Sequence, residues 1–210
     1  MMRHERMVVS IRANTVGFGI AALALAGFQM VLPCNAGALT YRLNPANTNI
    51  ALEISPLWLS WRRARVRDFA GELVVDEKGD LVRLAVRMDS HSIDSGDADW
   101  NARLQSPEWF GVERFPNIRY TSAGPGIRAR NRWVIVGELT IRDLSRPVVL
   151  TVSESGCAPN SAGDPPAVCR FSARARVRRS DFGLPHGFWE GGDRVDISVS
   201  SVDSLEATAR

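Results

Sequence analysis

The sequence predicts an all-β fold of about eight antiparallel strands, interrupted by one short helical crossover over residues 97–110. From Asn49 onward, apolar and polar residues alternate with period two, as in IALEIS at residues 50–55. This alternation is typical of strands with one buried face. Turn signals such as Gly124-Pro125-Gly126 separate the runs and favour antiparallel hairpins. Such strands closing on themselves form a barrel with a packed core or one small ligand, and a two-sheet sandwich is the competing architecture.

The N-terminus has the parts of a secretory signal peptide. A basic stretch over residues 1–14 precedes the uninterrupted apolar run of residues 15–32, and Ala36-Gly37-Ala38 supplies small residues for a signal peptidase. We therefore expect a signal peptide of residues 1–38, cleavage after Ala38, a single mature domain of residues 39–210 and a periplasmic location. The alternative is an uncleaved anchor, because 18 apolar residues nearly span a bilayer, but no basic stop-transfer flank follows.

The predicted mature chain is almost neutral. Residues 1–38 hold three arginines and one glutamate, so their removal reduces 26 basic and 23 acidic residues to 23 and 22. Arg170, Arg174, Arg176 and Arg178 share one parity of a strand, which is typical of a solvated face. We therefore expect no nucleic-acid partner, because no strong positive field remains to attract one.

Cys157 and Cys169 are the cysteines of the mature chain, and they flank a loop rich in Pro, Gly and Ser. In an oxidising compartment, two thiols across one loop favour a disulfide. Closing such a loop would stabilise the fold by about 3 kcal/mol. Two independent small hydrophobic side chains are the alternative, since the geometry of the pair decides whether a bond forms.

Residues 97–110 break the period of the strands. Asp97 can cap a first helical turn, and Ser106-Pro107-Glu108 is a second helix-start signal. The large apolar residues of this crossover are Trp100, Leu104, Trp109 and Phe110. The inner face of the sheet is the nearest apolar surface, so we expect the helix to close one end of the barrel.

Residues suited to catalysis or metal binding are few. The mature chain has two histidines, His91 and His186, and His91 lies among four aspartates in MDSHSIDSGDAD. Neighbouring strand residues alternate between faces, and no second His or Cys stands at ligand spacing. We therefore expect no metal, no cofactor and no enzymatic activity. The tryptophans indicate either an ordinary packed core or an irregular interior with a ligand cavity; they are Trp58, Trp61, Trp100, Trp109, Trp133 and Trp189.

Five stretches, in this order, carry a resemblance to a known family: YRLNPANTNIALEI, HSIDSGDADWNARLQSPEWFGVERFPNIRY, VGELTIRDLSRPVVL, RRSDFG and GGDRVDISV. Together they resemble the YceI-like family of secreted polyisoprenoid-binding proteins from Tyr41 to Ala207. The resemblance implies an extended lipocalin-like antiparallel barrel whose elongated apolar interior holds an isoprenoid chain, without catalysis. Asn47, Asp68 and Asp143 replace residues that are usual in the family. Asn47 lies near the opening strand, where the replacement would alter a contact with the headgroup of the ligand.

The resemblance implies a pocket lined by apolar side chains. Strand parity then predicts which positions face inward, and it also places Val82 and Met88 on the inner face. The predicted lining consists of Ile54, Phe69, Leu84, Val86, Trp133, Ile135, Phe171 and Ile197 from strands, with Trp100, Leu104, Trp109 and Phe110 from the crossover.

Two functions follow from these observations. The first is a periplasmic binding or carrier protein for an isoprenoid lipid, a quinone-like amphiphile or another long-chain apolar ligand. The second is a packed β-domain that holds no lipid and acts on a partner protein through its arginine-rich surface. The two differ in whether the interior is hollow. Either function is compatible with a homodimer.

Overall fold

The computed structural model describes residues 38–43, 45–46, 48–54, 62–76, 78, 80–130, 132–158, 168–186, 192–201 and 205–208. The predicted signal peptide up to residue 37 lies outside these ranges, as do Trp58, Trp61 and Trp189. Among the helices of these ranges, none has the length and apolar character needed to cross a membrane.

Thirteen strands are present in the described part of the chain, two of them only two and three residues long. They are β1 Leu39–Leu43, β2 Thr48–Ile54, β3 Arg62–Val66, β4 Phe69–Val75, β5 Leu81–Asp89, β6 Ile93–Asp94, β7 Asn117–Ser122, β8 Ile127–Ala129, β9 Arg132–Ile141, β10 Leu144–Ala158, β11 Val168–Arg178, β12 Arg194–Ser201 and β13 Leu205–Thr208.

All strands belong to one antiparallel sheet that curls into a half-barrel. The pairing runs β13-β1-β4-β5-β7-β9-β10-β11-β12-β2-β3-β6, with β8 paired to β9. Among the described residues, no ladder joins β13 to β6. The all-β antiparallel prediction is therefore confirmed, whereas the expected number of about eight strands was wrong and the sheet is not a fully closed ring.

The chain itself requires the sheet to curl. Only Arg67 and Asp68 connect β3 to β4, a link that spans about 11 Å at most. Eight strand-to-strand steps separate β3 from β4 along the sheet, which would place them about 38 Å apart if the sheet were flat. The amide of Arg67 also donates to the carbonyl of Ser92 at 3.0 Å, and the amide of Asp89 to that of Asp68 at 3.0 Å. The two ends of the sheet therefore approach each other around an apolar interior.

Period-two alternation holds along most strands, and a bulge interrupts it in β5. In β9, for example, Trp133, Ile135 and Leu139 are buried while Val136 is exposed. In β5, Val74 pairs with Arg83 and Val75 with Leu81, so Val82 is an extra residue of a bulge. Bulges reverse the face of the residues beside them. The inward prediction for Val82 was wrong for this reason, and Leu81 is the buried residue instead.

One α-helix, α1 at Ala98–Gln105, forms the first half of the predicted crossover. The carboxylate of Asp97 accepts from the amide of Trp100 at 3.0 Å, which is the expected N-cap. Ser106 is extended, with φ −60° and ψ 158°, because a residue before proline disfavours helical backbone. The second helix predicted at Ser106 does not form. Residues 106–115 form a bend and turns without regular helix. One-turn 3₁₀ helices lie elsewhere, at Ser90–Ser92 and Ser180–Phe182.

Candidate functional site

The curled sheet and α1 enclose an apolar cavity that we call the helix chamber. Its volume is about 90 Å³, and Trp100, Leu104, Trp109 and Phe110 form its wall on the side of α1. The rings of Trp100 and Trp109 meet edge to face, with centroids 5.1 Å apart and planes at 73°. Such a pair fixes both rings more firmly than area burial alone. The helix chamber therefore has a rigid aromatic wall opposite the strands.

Backbone hydrogen bonds place the two aromatic residues that follow α1. The amide of Phe110 donates to the carbonyl of Leu104 at 3.0 Å, and the amides of Trp109 and Gly111 donate to the carbonyl of Ser106 at 3.0 and 2.8 Å. Gly111 has φ 55°, a left-handed conformation that glycine adopts without strain. The chain thus folds back under α1, and Trp109 and Phe110 face the same cavity as Trp100 and Leu104.

A second cavity, the strand chamber, lies farther along the sheet. Its volume is about 100 Å³, and its walls include Leu73, Leu84, Phe171 and Val199. Met88, Leu139 and Ile197 line both the helix chamber and the strand chamber. The two chambers are therefore neighbouring parts of one elongated apolar interior, and these three side chains belong to the walls of both.

The charged side chains among the described residues that line the helix chamber are three arginines. Arg62 and Arg63 lie at its exposed rim, where the guanidinium of Arg62 stacks 4.4 Å from the ring centroid of Trp100. Arg63 pairs with Glu53 at 3.0 Å. The third, Arg179, is buried. The described walls of the strand chamber include no charged residue. The interior is therefore polarised, with positive charge at the helix chamber only.

Arg179 is 2 % exposed and is held from several sides. Its Nε donates to the carbonyl of Gly192 at 3.1 Å, and its Nη2 donates to the same oxygen. Its guanidinium lies 5.3 Å from the ring centroid of Trp109. Our sequence interpretation missed this residue, although it has the parity of Val177 and so continues the inward face of β11. The run of exposed arginines beside it hid that signal.

Tyr120 contributes one of the polar atoms near the strand chamber. Its hydroxyl donates to the carbonyl of Ile135 at 3.3 Å and lies 3.4 Å from that of Val148. Burial raises the pKa of Tyr120 to about 12, because the phenolate would be poorly solvated. The hydroxyl therefore stays protonated and engaged with the backbone, which leaves the chamber wall apolar.

Nine of the twelve predicted lining residues border a chamber. In the helix chamber these are Ile54, Trp100, Leu104, Trp109, Phe110 and Ile197; in the strand chamber they are Leu84, Val86, Phe171 and again Ile197. Phe69, Trp133 and Ile135 are buried, with exposures of 4 %, 4 % and 0 %, but line neither chamber. Trp133 packs behind Phe171, with ring centroids 6.4 Å apart. Parity predicts the inward face, but not which inward residues pack together and which leave space.

His91 lies at the surface between two acids. Its Nδ1 is 3.3 Å from a carboxylate oxygen of Asp89, and its Nε2 is 3.5 Å from one of Glu113. Within the described ranges, no group of three or more His, Cys, Asp or Glu side chains is arranged to hold a metal ion. None of these three residues lines either chamber.

The predicted cysteine pair lies at the far end of the β10–β11 hairpin. The backbone register places Cys157 opposite Cys169. Their side chains lie outside what the structure describes, so the disulfide stays a prediction. Opposite residues of antiparallel strands have Cα atoms about 4.5–5.5 Å apart, which is within the range that a disulfide spans.

The fold and the ordered motifs match those of a known family. A sequence model described as the YceI-like domain matches residues 41–202. The chain belongs to the YceI-like family. The protein YceI of Salmonella arizonae is 24 % identical to it over 193 residues, which cover 90 % of this chain and 96 % of the relative. The YceI protein of Salmonella paratyphi B is similar to the same extent. The resemblance inferred from the motifs is thus confirmed.

Solved structures share the fold of this YceI-like chain. BcnA of Burkholderia cenocepacia superposes with a TM-score of 0.65 at 18 % identity, covering 75 % of this chain and 97 % of BcnA. A Campylobacter jejuni YceI protein superposes with a TM-score of 0.64 at 19 % identity, and the match covers 75 % of this chain and 91 % of that protein. A polyisoprenoid binding domain from Saccharophagus degradans superposes with a TM-score of 0.56 at 10 % identity, and the match covers 79 % of this chain and 98 % of that domain. At these identities the likeness concerns the fold alone.

Proposed function

We propose that this YceI-like chain is a non-catalytic periplasmic carrier or store of an isoprenoid lipid or quinone-like amphiphile, held in the helix chamber and the strand chamber. The observation that carries the proposal is the shared wall of Met88, Leu139 and Ile197, because one linear apolar chain passing these residues would occupy both chambers. The polyisoprenoid binding domain that shares the fold supports the same ligand class.

Burial of a prenyl chain supplies enough free energy for binding. Each isoprene unit contains five carbons, and each methylene-sized group contributes about 0.8 kcal/mol when it leaves water. A few units therefore offset the entropy lost when a flexible chain becomes ordered. Affinity should rise with chain length until the chambers are full.

The volume of the chambers limits how long that chain is. The helix chamber and the strand chamber measure about 90 and 100 Å³, whereas an engineered apolar cavity of roughly 150 Å³ takes up benzene. A chain of several isoprene units therefore needs wall side chains to move aside. Met88 suits this movement, because an unbranched thioether has many accessible rotamers.

The periplasmic location is part of the proposal and rests on the N-terminal sequence. A basic start, an apolar run over residues 15–32 and the Ala36-Gly37-Ala38 site favour export and cleavage after Ala38. N-terminal sequencing of the exported protein should begin at Leu39. A mature form that retains residues 15–32 would contradict both the cleavage and the free periplasmic carrier.

The test of ligand binding is native mass spectrometry of protein purified from the periplasm of its own host. We expect a co-purifying apolar ligand whose mass increments correspond to isoprene units. The control is the same protein after organic extraction, which should lose the added mass and regain it when a prenyl quinone is supplied. An extracted protein that stays folded but takes up no prenyl compound would contradict the proposal.

The packed β-domain is the second candidate, and the small chamber volumes favour it. Its surface would act through the arginines around the depression formed by β10, β11 and β12, where Arg146, Arg176, Arg178 and Arg194 lie. Arg176 already pairs with Asp196 at 2.6 Å, so part of this charge is neutralised within the sheet. A folded protein without any bound or exchangeable lipid is the result that would select this candidate.

A further inference from the structure

Arg179 gives the apolar interior a direction. Arg179 lines the helix chamber, while the described walls of the strand chamber carry no charged side chain. A ligand with one polar end and one apolar end therefore meets two different environments. A charge enclosed by apolar walls is costly unless oxygen atoms surround it, and an oxygen at the ligand's end adds to those that the protein supplies.

We propose that the ligand binds with an oxygen-bearing end against Arg179 in the helix chamber, and with its apolar chain directed past Met88, Leu139 and Ile197 into the strand chamber. This inference rests on the proposed function and adds the orientation of the ligand and the chemistry of its end. The shared chemistry is a hydrogen-bond-accepting oxygen, which a quinone carbonyl and a phosphate both offer.

The position of the guanidinium is set before any ligand arrives. Gly192 accepts from its Nε and Nη2 on one side, and the ring of Trp109 packs 5.3 Å away on another. The backbone adds a third constraint, because the amide of Arg179 donates to the carbonyl of Asp193 at 2.8 Å. A fixed donor loses little entropy when it binds an acceptor, so the contribution to affinity is larger than that of a mobile surface arginine.

The surrounding residues also favour an acceptor at this end. Phe182 and Leu184, with exposures of 1 % and 5 %, flank Arg179 in the chamber wall and exclude water. Hydrogen bonds are electrostatically stronger in such surroundings. Arg62 at the rim adds positive charge on the approach to the same chamber, whereas the charge of Arg63 is paired with that of Glu53. None of the described lining residues is acidic, so none of them repels an anionic or carbonyl oxygen.

Arg179 also fastens the chain between β11 and β12, and the test must separate that role from ligand contact. We suggest three compounds with the same farnesyl chain, ending in a benzoquinone, a monophosphate or a hydrogen atom. The variants are Arg179→Met and, as a matched control, Arg178→Met, because Arg178 is the exposed neighbour on the outer face. Dissociation constants are measured by fluorescence titration of the full mature chain.

We expect Arg179→Met to weaken the binding of at least one of the two oxygen-bearing compounds by about tenfold or more, as for a lost hydrogen bond to a charged group. The dissociation constant of the farnesyl compound that ends in a hydrogen atom should change by no more than about twofold. Arg178→Met should change the dissociation constants of all three compounds by no more than about twofold. Weaker binding of the benzoquinone compound identifies a carbonyl end. Weaker binding of the monophosphate compound, with strong salt dependence, identifies an anionic end. Equal weakening of all three compounds would assign Arg179 a purely structural role and overturn the inference.

A second measurement uses the unaltered protein, in case Arg179→Met does not fold. A farnesyl compound that carries a photoreactive benzophenone at its head should crosslink to the walls of the helix chamber, near Trp109 and Phe182. A diazirine at the tail should crosslink to the strand chamber, near Leu73 or Phe171. The reverse pattern would overturn the orientation while leaving the carrier function intact. Failure to bind any farnesyl compound would instead contradict the proposed function itself.

Discussion

The ring of Tyr120 fills the space that a β-carbon on Gly137 would need. A Cβ at position 137 would lie 2.5 Å from Cζ and Oη of Tyr120 and 2.7 Å from the carbonyl oxygen of Thr121. The buried Tyr120 hydroxyl donates to the carbonyl of Ile135, so the ring has no freedom to swing away. The ring therefore packs against bare backbone of β9, beside the wall of the strand chamber.

The first prediction concerns this contact. Gly137→Ala should lower the free energy of unfolding by about 1–3 kcal/mol, the usual cost of overpacking a core. Gly124→Ala is the matched control, because a Cβ there meets nothing within 4 Å, and it should be neutral or slightly stabilising. Urea unfolding of both variants measures the difference. Equal unfolding midpoints for the two would show that β7 and β9 adjust without cost.

The second prediction concerns pH. The carboxylate of Asp94 accepts from Nδ2 of Asn101 at 3.0 Å, from the amide of Gly96 at 2.8 Å and from Nη2 of Arg67 at 2.7 Å. These hydrogen bonds, that of Asn101 first, hold the pKa of Asp94 well below its ordinary value of 3.8. A lowered native pKa stabilises the fold above the unfolded value, and the effect is lost as the pH falls below it.

Asp94→Asn should therefore destabilise the protein at pH 7, and the difference from the parent chain should shrink as the pH falls below about 3.8. Chemical unfolding at a series of pH values measures it. Asp99→Asn is the control, since Asp99 is an exposed acid nearby in sequence, in the first turn of α1. A constant difference for Asp94→Asn between pH 7 and pH 3 would refute the linkage.

The third prediction is the disulfide between Cys157 and Cys169. Their opposite register in β10 and β11 allows the bond, as the sequence suggested. Thiol titration of the unfolded, unreduced mature protein should detect no free sulfhydryl, and the same sample after reduction should give two. The double variant Cys157→Ser, Cys169→Ser should lose about 2–4 kcal/mol of stability. Two reactive thiols before reduction would exclude the bond.

The alternation of residues predicted the inward faces well, because a buried face is written into every second position of a strand. It did so for Leu84, Phe171 and Ile197, all of which line a chamber. It failed at Val82, since a bulge depends on the partner strand and not on the sequence of β5 alone. The strand number was also wrong, because short strands such as β6 and β8 carry too few residues to show a period.

The space between the inward residues could not be predicted in the same way. Trp133 and Phe171 have similar inward parity, yet Phe171 borders the strand chamber while Trp133 packs behind it. Whether two neighbouring side chains touch or leave a gap depends on the curvature of the sheet, which the connection between β3 and β4 sets. Arg179 shows the same limit, since its parity is visible but its enclosure is not.

The fourth prediction concerns chain length and follows from the proposed function. Met88→Phe places a larger, stiffer side chain in the wall shared by the two chambers, so it should block passage from one to the other. Binding of a prenyl quinone with two isoprene units should change little, whereas four units or more should bind about tenfold or more weakly. Val149→Phe is the control, because Val149 is 52 % exposed on the outer face. Equal affinities for long chains in both variants would contradict a single continuous interior.

The last prediction concerns the aromatic wall formed by Trp109 and Phe110, and the structure supplies a matched pair of controls. Trp109 and Phe110 line the helix chamber, whereas Trp133 and Phe69 are equally buried but line neither chamber. Truncating a packed Trp or Phe to Ala costs about 3–5 kcal/mol. All four single variants should therefore lose stability, and circular dichroism should show that each retains its strands.

The two sets should differ in ligand release. Trp109→Ala and Phe110→Ala remove contacts with the bound chain, and each 1.4 kcal/mol of lost contact raises the dissociation rate about tenfold when association is unchanged. Stopped-flow displacement of a fluorescent prenyl quinone should thus show faster release from these two variants, with rates for Trp133→Ala and Phe69→Ala close to the parent. Release that follows stability alone, equally fast in all four variants, would show that the wall around Trp109 and Phe110 does not retain the ligand.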